Sequence, residues 1–491
     1  MSEEILINVT PQETRAAVLE HGVLQEVLIE RSNHRGIVGN IYMGRVARVM
    51  PGMDAAFVDI GLERSAFIHA SDVDKPSTNE IDEGVAPKQI PVAELLKENQ
   101  TLLVQVVKDP LGTKGARLTT QITIPSRFLV FLPNEVDLIG ISSKIDDEDE
   151  RERLKAMTLQ VQQDYVKGGF IVRTVAEGTT EAALQRDARY LQKVWASIQS
   201  RQANASAGTL IHEDLPLASR LLRDMVNDEV SRVLVDSEYR HERLLSFAGN
   251  YTPGIVDKIE YYQAERPIFD LHGVEDEIQK ALHRKVFLKS GGYLIIDQTE
   301  AMTTVDVNTG GYVGHRTLEE TIYKTNLEAA QSIARQLRLR NLGGIIIIDF
   351  IDMQEEEHKR QVLRALEKYL ERDHTRTQVT AVSELGLVEM TRKRTRESLE
   401  HILCETCPTC GGRGSIKTAE TVCYEIFREI IQVSRQYSAK KLVILACQPV
   451  IDLLGDDQSS SLAELEADLE IPIQLQLESL YTQEQYDVVI M

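Results

Sequence analysis

The first stretch of the chain, ILINVTPQETRAAVLEHGVLQEVLIER, alternates apolar and polar positions in the manner of strands, with Gly22 where a hairpin turn would sit. Period two sets one face of a strand on a core and the other in water. Near residue 36 the texture changes. GIVGNIYMGRVARVMPGMDAAFVDIGLERSAFIHASDV is a series of short apolar runs broken by Gly, Pro and Asp, and LLVQVVKDPLGTKGARLTT resumes it after an acidic, Pro-containing stretch at 72–96. Short strands with Gly-rich turns predict a small closed barrel of the OB type.

Residues 126–218 mix strands with helical stretches at about 147–167 and 180–203. The second half reads differently. YLIIDQTEAMTTVDVNTG is a strand pair, and 318–340 is a helix with Leu318, Ile322, Ala329, Ile333 and Leu337 on one side. GGIIIIDFIDM reads as a fully buried strand, and 355–373 as a second amphipathic helix. Strands and helices alternating at this spacing predict an α/β layered domain. From 415 onward the pattern gives a long helix, the strand KKLVILAC, a shorter helical region and the strands IPIQLQL and YDVVIM, a small αβ domain in which 455–461 is a loop. The fold class is therefore α/β and multidomain.

Composition changes this picture in three respects. The 491 residues are 42% hydrophobic and 27% charged, globular values with material for about three domains. No apolar run reaches the roughly 18 residues of a membrane span, and the acidic start MSEEILINV lacks the basic and apolar regions of a signal peptide, so a cytoplasmic protein with no membrane partner is expected. The net charge of −21 argues against a tight non-specific nucleic-acid binder, yet leaves room for a local basic surface.

That surface has candidates. The barrel segment supplies Phe57 and Phe67 for stacking, with Arg45, Arg48, Lys108, Lys114 and Arg117 as basic residues around them. Single strands bind OB-type barrels by aromatic stacking beside a basic groove; the same phenylalanines could equally be core. In TTVDVNTGG, Asp306 and Asn308 stand two apart and share a strand face, and Asp349 closes the run IIIID. If the two strands are neighbours, two carboxylates and an amide converge as a hard-oxygen set suited to magnesium. Either Asp could instead pair with a local base or cap a turn, and Asp352 is expected to cap the next helix.

All five cysteines, Cys404, Cys407, Cys410, Cys423 and Cys447, fall in the last fifth of the chain. An odd number in a tight cluster points to metal rather than disulfides. Cys407 and Cys410 in CPTCGGRG have zinc-knuckle spacing, whereas a thioredoxin-like redox pair would open a helix without glycines following. A structural zinc takes four ligands and no second CxxC of that kind exists, so two chains each giving two thiolates is the sharper inference. Cys404 is an extra thiol able to compete, and Cys423 and Cys447 sit in apolar periodic segments as core.

GNIYMGRVARVMPGMDAAFVDIGLERSAFIHASD, GGFIVRT, TTVDVNTGG, GGIIIIDFIDM, TRKRTRESL and CPTCGGRG, in this order and spacing, resemble the successive signatures of the ribonuclease E/G family. The ending LYTQEQYDVVIM is most similar to the G branch. The resemblance covers the whole chain and implies an RNase H-like domain in two parts (1–37 and 219–281) around an inserted OB-type RNA-binding barrel (38–125) and a 5′ sensor (126–218). It further implies a DNase I-like catalytic domain (282–403), a zinc link (404–414) and a small dimerisation domain (415–491). By motif, Asp306 and Asp349 would bind catalytic magnesium with Asn308 assisting, and Cys407 and Cys410 would hold a zinc shared between chains, with Cys404 as a departure. Phe57, Phe67, Lys108 and Lys114 would grip RNA, and Arg173 and Thr174 would bind a 5′-monophosphate. Read without the family, Arg173 is an edge-strand Arg paired with a neighbour such as Glu177. In GISSKI, Ser143 and Lys144 stand where two adjacent basic residues are the family pattern.

The activity so implied is magnesium-dependent endonucleolytic cleavage of single-stranded, AU-rich RNA, leaving 5′-phosphate and 3′-hydroxyl ends and stimulated by a 5′-monophosphate. Its roles would be 5′ maturation of 16S ribosomal RNA, tRNA processing and messenger decay, by a homodimer or higher assembly carrying no degradosome scaffold segment. A non-catalytic, zinc-linked RNA-binding scaffold and a metal-dependent DNA nuclease are the competing readings.

Overall fold

The computed structural model describes the chain apart from residues 1–2, 34, 75–89, 111–113, 136–137, 165–167, 228, 312–316 and 395. Most of the acidic stretch expected at 72–96 lies outside the described residues. The chain divides into two compact units, Met1–Ile402 and Leu403–Met491.

In the first unit, β1 (Glu3–Val9), β2 (Glu13–Glu20) and β3 (Val23–Arg31) form an antiparallel meander. His21 and Gly22 both take positive φ at the β2–β3 turn, as a two-residue hairpin of the favoured hand requires. The barrel follows from β4 (Ile41–Met50), β5 (Ala55–Asp59), β6 (Ala66–His69), β7 (Thr101–Lys108) and β8 (Arg117–Thr119). An added β4–β7 pairing closes the sheet on itself around Val46, Val58, Ile68, Val104 and Leu118. A Cβ on Gly44 would lie 2.7 Å from Val58, so the interior admits no side chain there.

Next come β9 (Ile124–Pro125), β10 (Leu129–Leu132), β11 (Ile139–Ile141) and β12 (Gly169–Val172), a four-stranded sheet in the order β11-β12-β10-β9. Helices Glu148–Asp164 and Glu181–Gln202, within a few residues of the expected spans, cover it through a core containing Phe131, Phe170, Leu154 and Leu191. β13 (Leu210–His212) leaves this layer and pairs with β4 of the barrel. β14 (Val230–Val235) and β15 (Ile259–Tyr261) then return to the first sheet, where β14 lies parallel to β1 and the order is β15-β14-β1-β2-β3.

The remaining sheet of this unit holds β16 (Lys285–Phe287), β17 (Tyr293–Gln298), β18 (Met302–Asn308), β19 (Gly344–Asp349), β20 (Thr377–Val382) and β21 (Leu387–Arg392), in the order β16-β17-β18-β19-β21-β20. Helices Leu318–Leu339 and Glu356–Leu370 belong to one core with Val305, Val307, Ile346, Ile348, Val388 and Met390, all from one face of the sheet. The four-isoleucine run is therefore not fully buried, as its composition implied. Ile346 and Ile348 are enclosed while Ile345 on the other face is 48% exposed. Leu318 also departs from expectation. It is 75% exposed because it opens its helix ahead of the first buried residue, Thr321.

One ion pair is sealed at the edge of this layer. Arg392 donates from Nε to Asp373 Oδ2 at 2.6 Å and from Nη2 to Oδ1 at 3.2 Å, and its Nη1 donates to the Leu342 carbonyl at 2.9 Å. Burial works against the Asp373 charge, but Arg392 outweighs it and holds that carboxyl below its ordinary range.

The second unit is a three-stranded sheet of β22 (Leu442–Ala446), β23 (Ile473–Leu477) and β24 (Tyr486–Ile490), ordered β23-β22-β24. Helix Ala419–Gln436 packs on it with Val422, Cys423, Ile426 and Ile430. The expected loop at 455–461 is shorter, since helix Gln448–Gly455 ends and helix Ser459–Leu469 begins inside it. Leu462, Leu465 and Leu469 draw that polar start into a helix by packing on the core. Among the described residues no helix is long and apolar enough to cross a membrane.

Candidate active site

β18 and β19 run parallel, and Asp306 stands directly opposite Asp349. Both project from the sheet face away from the helices, as do Asn308 two residues along β18 and Ile295 across on β17. The Asn308 amide donates from Nδ2 to Asp306 Oδ2 at 2.8 Å, which leaves its carbonyl oxygen for another partner. The Asp349 carboxyl is pushed above its ordinary range by partial burial, then by the charges of Asp306 and Asp352. Two carboxylates held side by side repel, and a cation between them removes that cost.

Asp352 does not cap the following helix, as had been expected. The N-cap of Glu356–Leu370 is Glu355, with no side-chain cap bond. Among the described residues no three His, Cys, Asp or Glu side chains cluster to hold a metal alone. The donor set that is present, two carboxylates and an amide oxygen, is of the hard-oxygen kind that magnesium takes together with waters. Asn326 was not singled out in the sequence. It is fully buried on helix Leu318–Leu339 and brackets Ile351, donating to its carbonyl at 2.8 Å and accepting from its N–H at 3.1 Å. This fixes the chain as it leaves Asp349. A polar residue on the apolar side of an amphipathic helix was the available signal.

The barrel brings its candidates into one row. Arg48 on β4 is opposite Phe57 on β5, Phe57 is opposite Phe67 on β6, Phe67 is paired with Arg117 on β8, and Arg117 with Lys108 on β7. Residues paired across strands share a face, so two aromatic rings lie between basic side chains on the outer wall. Phe57 is 38% exposed and Phe67 half-buried, its ring edge-on to His69 at 5.5 Å. Arg117 is tied to Asp72 at 2.8 Å, while Arg48 and Lys108 are exposed. Arg45 sits outside the row, 3.4 Å from Asp59. Lys114 is exposed just before Gly115, where a Cβ would meet the Ser65 carbonyl at 2.0 Å, so the chain crosses β6 closely there.

Arg173 and Thr174 leave the end of β12 together. Arg173 Nη1 donates to Asp224 Oδ1 at 2.7 Å and to the Ser126 carbonyl at 2.6 Å, so its partner is Asp224 and not Glu177. Burial opposes the Asp224 charge, yet Arg223 and then Arg173 hold its carboxyl below the ordinary range. Thr174 Oγ1 lies 2.9 Å from Ser142 Oγ, and Ser142 Oγ accepts the Lys144 N–H at 3.3 Å. Arg173, Thr174, Ser142, Ser143 and Lys144 all line one wide cleft of the first unit.

In the second unit the Gly411 N–H donates to the Cys407 carbonyl at 2.9 Å and the Arg413 N–H to the Cys410 carbonyl at 3.1 Å. Gly411 and Gly412 take positive φ, which lets this turn close. The Cys410 and Thr409 N–H groups point at the Cys407 sulfur and hold its thiol below the usual range. An exposed knuckle with amides aimed at sulfur fits a thiolate metal ligand. Cys404 is exposed beside it, whereas Cys423 and Cys447 are core, and burial pushes the Cys423 thiol up to about 11.

Three family models match the chain. Residues 37–108 match the S1 RNA binding domain, 123–395 the Ribonuclease E/G family, and 406–490 the RNase E/G, Thioredoxin-like domain. The chain is 56% identical to ribonuclease G of Escherichia coli (strain K12) over 494 aligned positions, covering 100% of each. It is 51% identical to ribonuclease G of Haemophilus influenzae over 99% of each chain. To ribonuclease E of Nostoc sp. it is 40% identical over 84% of this chain and 59% of that relative. The fold and its relatives define an RNA-binding endoribonuclease, a hydrolase acting in RNA processing. The chain belongs to the ribonuclease E/G family, on its ribonuclease G side. A purely non-catalytic scaffold is set aside on that ground.

Proposed function

We propose that the chain cuts single-stranded, AU-rich RNA at Asp306, Asn308 and Asp349 with magnesium held there, leaving 5′-phosphate and 3′-hydroxyl ends. The observation that carries this reading is the register of β18 and β19, which puts two aspartates opposite each other on an open sheet face. Asp306 and Asp349 hold the cation, and Asn308 fixes the Asp306 carboxylate through its amide. Bound magnesium supplies Lewis acidity at the scissile phosphate. Phe57 and Phe67 stack bases of the strand, while Lys108 and Lys114 meet its phosphates. The layers of the first unit then act as an RNase H-like domain in two parts, a barrel, a 5′ sensor and a DNase I-like catalytic layer. Precursors of 16S rRNA and tRNA, and messengers in decay, are the substrates we assign, in the cytoplasm.

Arg173 and Thr174 form the 5′-monophosphate pocket in this reading. Arg173 uses Nη1 on Asp224 and Ser126, and its remaining N–H donors with the Thr174 hydroxyl suit a terminal phosphate. A snug pocket also rejects a triphosphate by size and charge. The test is kcat/KM on one single-stranded RNA with 5′-monophosphate, 5′-triphosphate or 5′-hydroxyl, and on the matching DNA, with and without magnesium. Wild type is expected to prefer the monophosphate, by a margin smaller than two adjacent basic residues at Ser143 and Lys144 would give. Arg173→Ala should lose most of that preference and keep the slow rate shared by all three ends. Equal rates on all three ends for wild type refute the sensor, and cleavage of DNA or cleavage without magnesium refutes the catalytic reading.

Cys407 and Cys410 supply two of the four thiolates a tetrahedral zinc takes, so we assign the other two to a second copy, making a homodimer. Elemental analysis should find about one zinc per two chains. Replacing both cysteines with serine should remove the metal and shift sedimentation towards monomer. One zinc per chain would rule out the shared site and bring in Cys404.

A further inference from the structure

The open face of the β16–β21 sheet carries a second group of side chains beside the proposed cleavage site. Phe287, on edge strand β16, is 74% exposed. It does not stand alone. Lys285 Nζ lies 5.0 Å from the centre of the Phe287 ring and 3.7 Å from the centre of the Tyr293 ring, a cation shared by two aromatic faces.

Register ties this group to the aspartates. Phe287 is opposite Tyr293, and Tyr293 is opposite Asn308. Lys285 is opposite Ile295, Ile295 opposite Asp306, and Asp306 opposite Asp349. All of these side chains share one face. With neighbouring strands about 4.8 Å apart, Tyr293 is one strand and Phe287 two strands from Asn308, or about 5 and 10 Å. A nucleotide next to the scissile phosphate falls within that reach.

We propose that Phe287, Tyr293 and Lys285 form a stacking subsite for a nucleobase flanking the scissile bond. Phe287 offers the open ring, Tyr293 the inner wall, and Lys285 holds both rings while facing the phosphate of the stacked nucleotide. An open ring with a cation beside it is how single strands are gripped without reading their sequence. The group is distinct from Phe57 and Phe67, which lie on the barrel. It acts as a positioning site, and it rests on the assignment of cleavage to Asp306 and Asp349.

The test is an abasic scan. One single-stranded RNA with a fixed cleavage position is made with a single abasic nucleotide stepped through the positions around the scissile bond. kcat and KM are measured for the wild-type full chain, Phe287→Ala and Phe287→Tyr. In wild type one abasic position is expected to lower kcat/KM about tenfold, the scale of losing one base–aromatic stack. Phe287→Ala should cut the intact RNA about tenfold more slowly and show no further loss at that position. Phe287→Tyr should restore the wild-type profile. The proposal falls if Phe287→Ala keeps the wild-type abasic profile. It falls equally if Phe287→Ala alters sedimentation while leaving that profile intact, which would mark Phe287 as a contact between copies. Full activity in Asp306→Ala would overturn the cleavage-site reading instead, and that measurement is independent of the abasic coupling.

Discussion

Asp306→Ala and Asp349→Ala are each expected to lower kcat for RNA cleavage by about a thousandfold or more, the scale of losing a main electrostatic stabiliser. RNA affinity and thermal stability should stay close to wild type. The aspartates sit on a solvent-facing side of their sheet, so neither variant leaves a cavity in the core. The barrel row of Arg48, Phe57, Phe67, Arg117 and Lys108, proposed to grip RNA, belongs to another sheet and should be unaffected. Single-turnover cleavage at saturating enzyme separates chemistry from binding. Near-normal turnover in either variant at physiological magnesium would show that cleavage happens elsewhere.

Arg392→Ala is expected to cost about 3–5 kcal/mol of folding stability, the scale of breaking one side of a buried ion pair. Arg392 and Asp373 are each only 4% exposed at the side chain, so solvent cannot take over the lost bonds. The substitution strands the Asp373 carboxylate and leaves the Leu342 carbonyl without its Nη1 donor. The pH dependence follows from the direction of the Asp373 shift. Its folded pKa is below the ordinary value, so the stabilisation is fully present above the unfolded pKa. It fades as pH falls through the folded value, and the gap between wild type and Arg392→Ala should narrow in acid. Urea denaturation at neutral and acid pH measures this. An unchanged midpoint in Arg392→Ala would mean that the pair carries no net stability.

What could be read from the sequence was local. Alternation gave the meander of β1 to β3, and i, i+2 spacing put Asp306 and Asn308 on one face before any partner strand was known. CPTCGG gave the knuckle, because its turn depends on adjacent residues. What escaped depends on contacts far apart in the chain. The isoleucine run looked fully buried because composition does not say that helices cover only one face. Arg173 found Asp224, 51 residues away, in place of the nearby Glu177. The row through Phe57 and Phe67 needed barrel register, which no single strand carries. Phe287 carries no sequence signal because an edge strand of three residues has no period to read. The family motifs bridged part of this gap by implying which strands meet, but the side-chain partners of Arg173, Asn308 and Arg392 were visible only in three dimensions.

The parallel pairing of β1 with β14 has a consequence for how the chain is made. Ile5, Leu6 and Ile7 of β1 leave the ribosome more than two hundred residues before their neighbour Val233 is translated. At about 5–20 residues per second, that strand edge waits on the order of ten seconds or longer. The barrel and the layer after it have their own cores and can settle in the interval. The meander cannot complete its sheet, and its unpaired hydrophobic edge is open to other nascent chains. Translation that stalls before residue 230 would therefore release a chain in which the open edge of β1 is an adhesive surface.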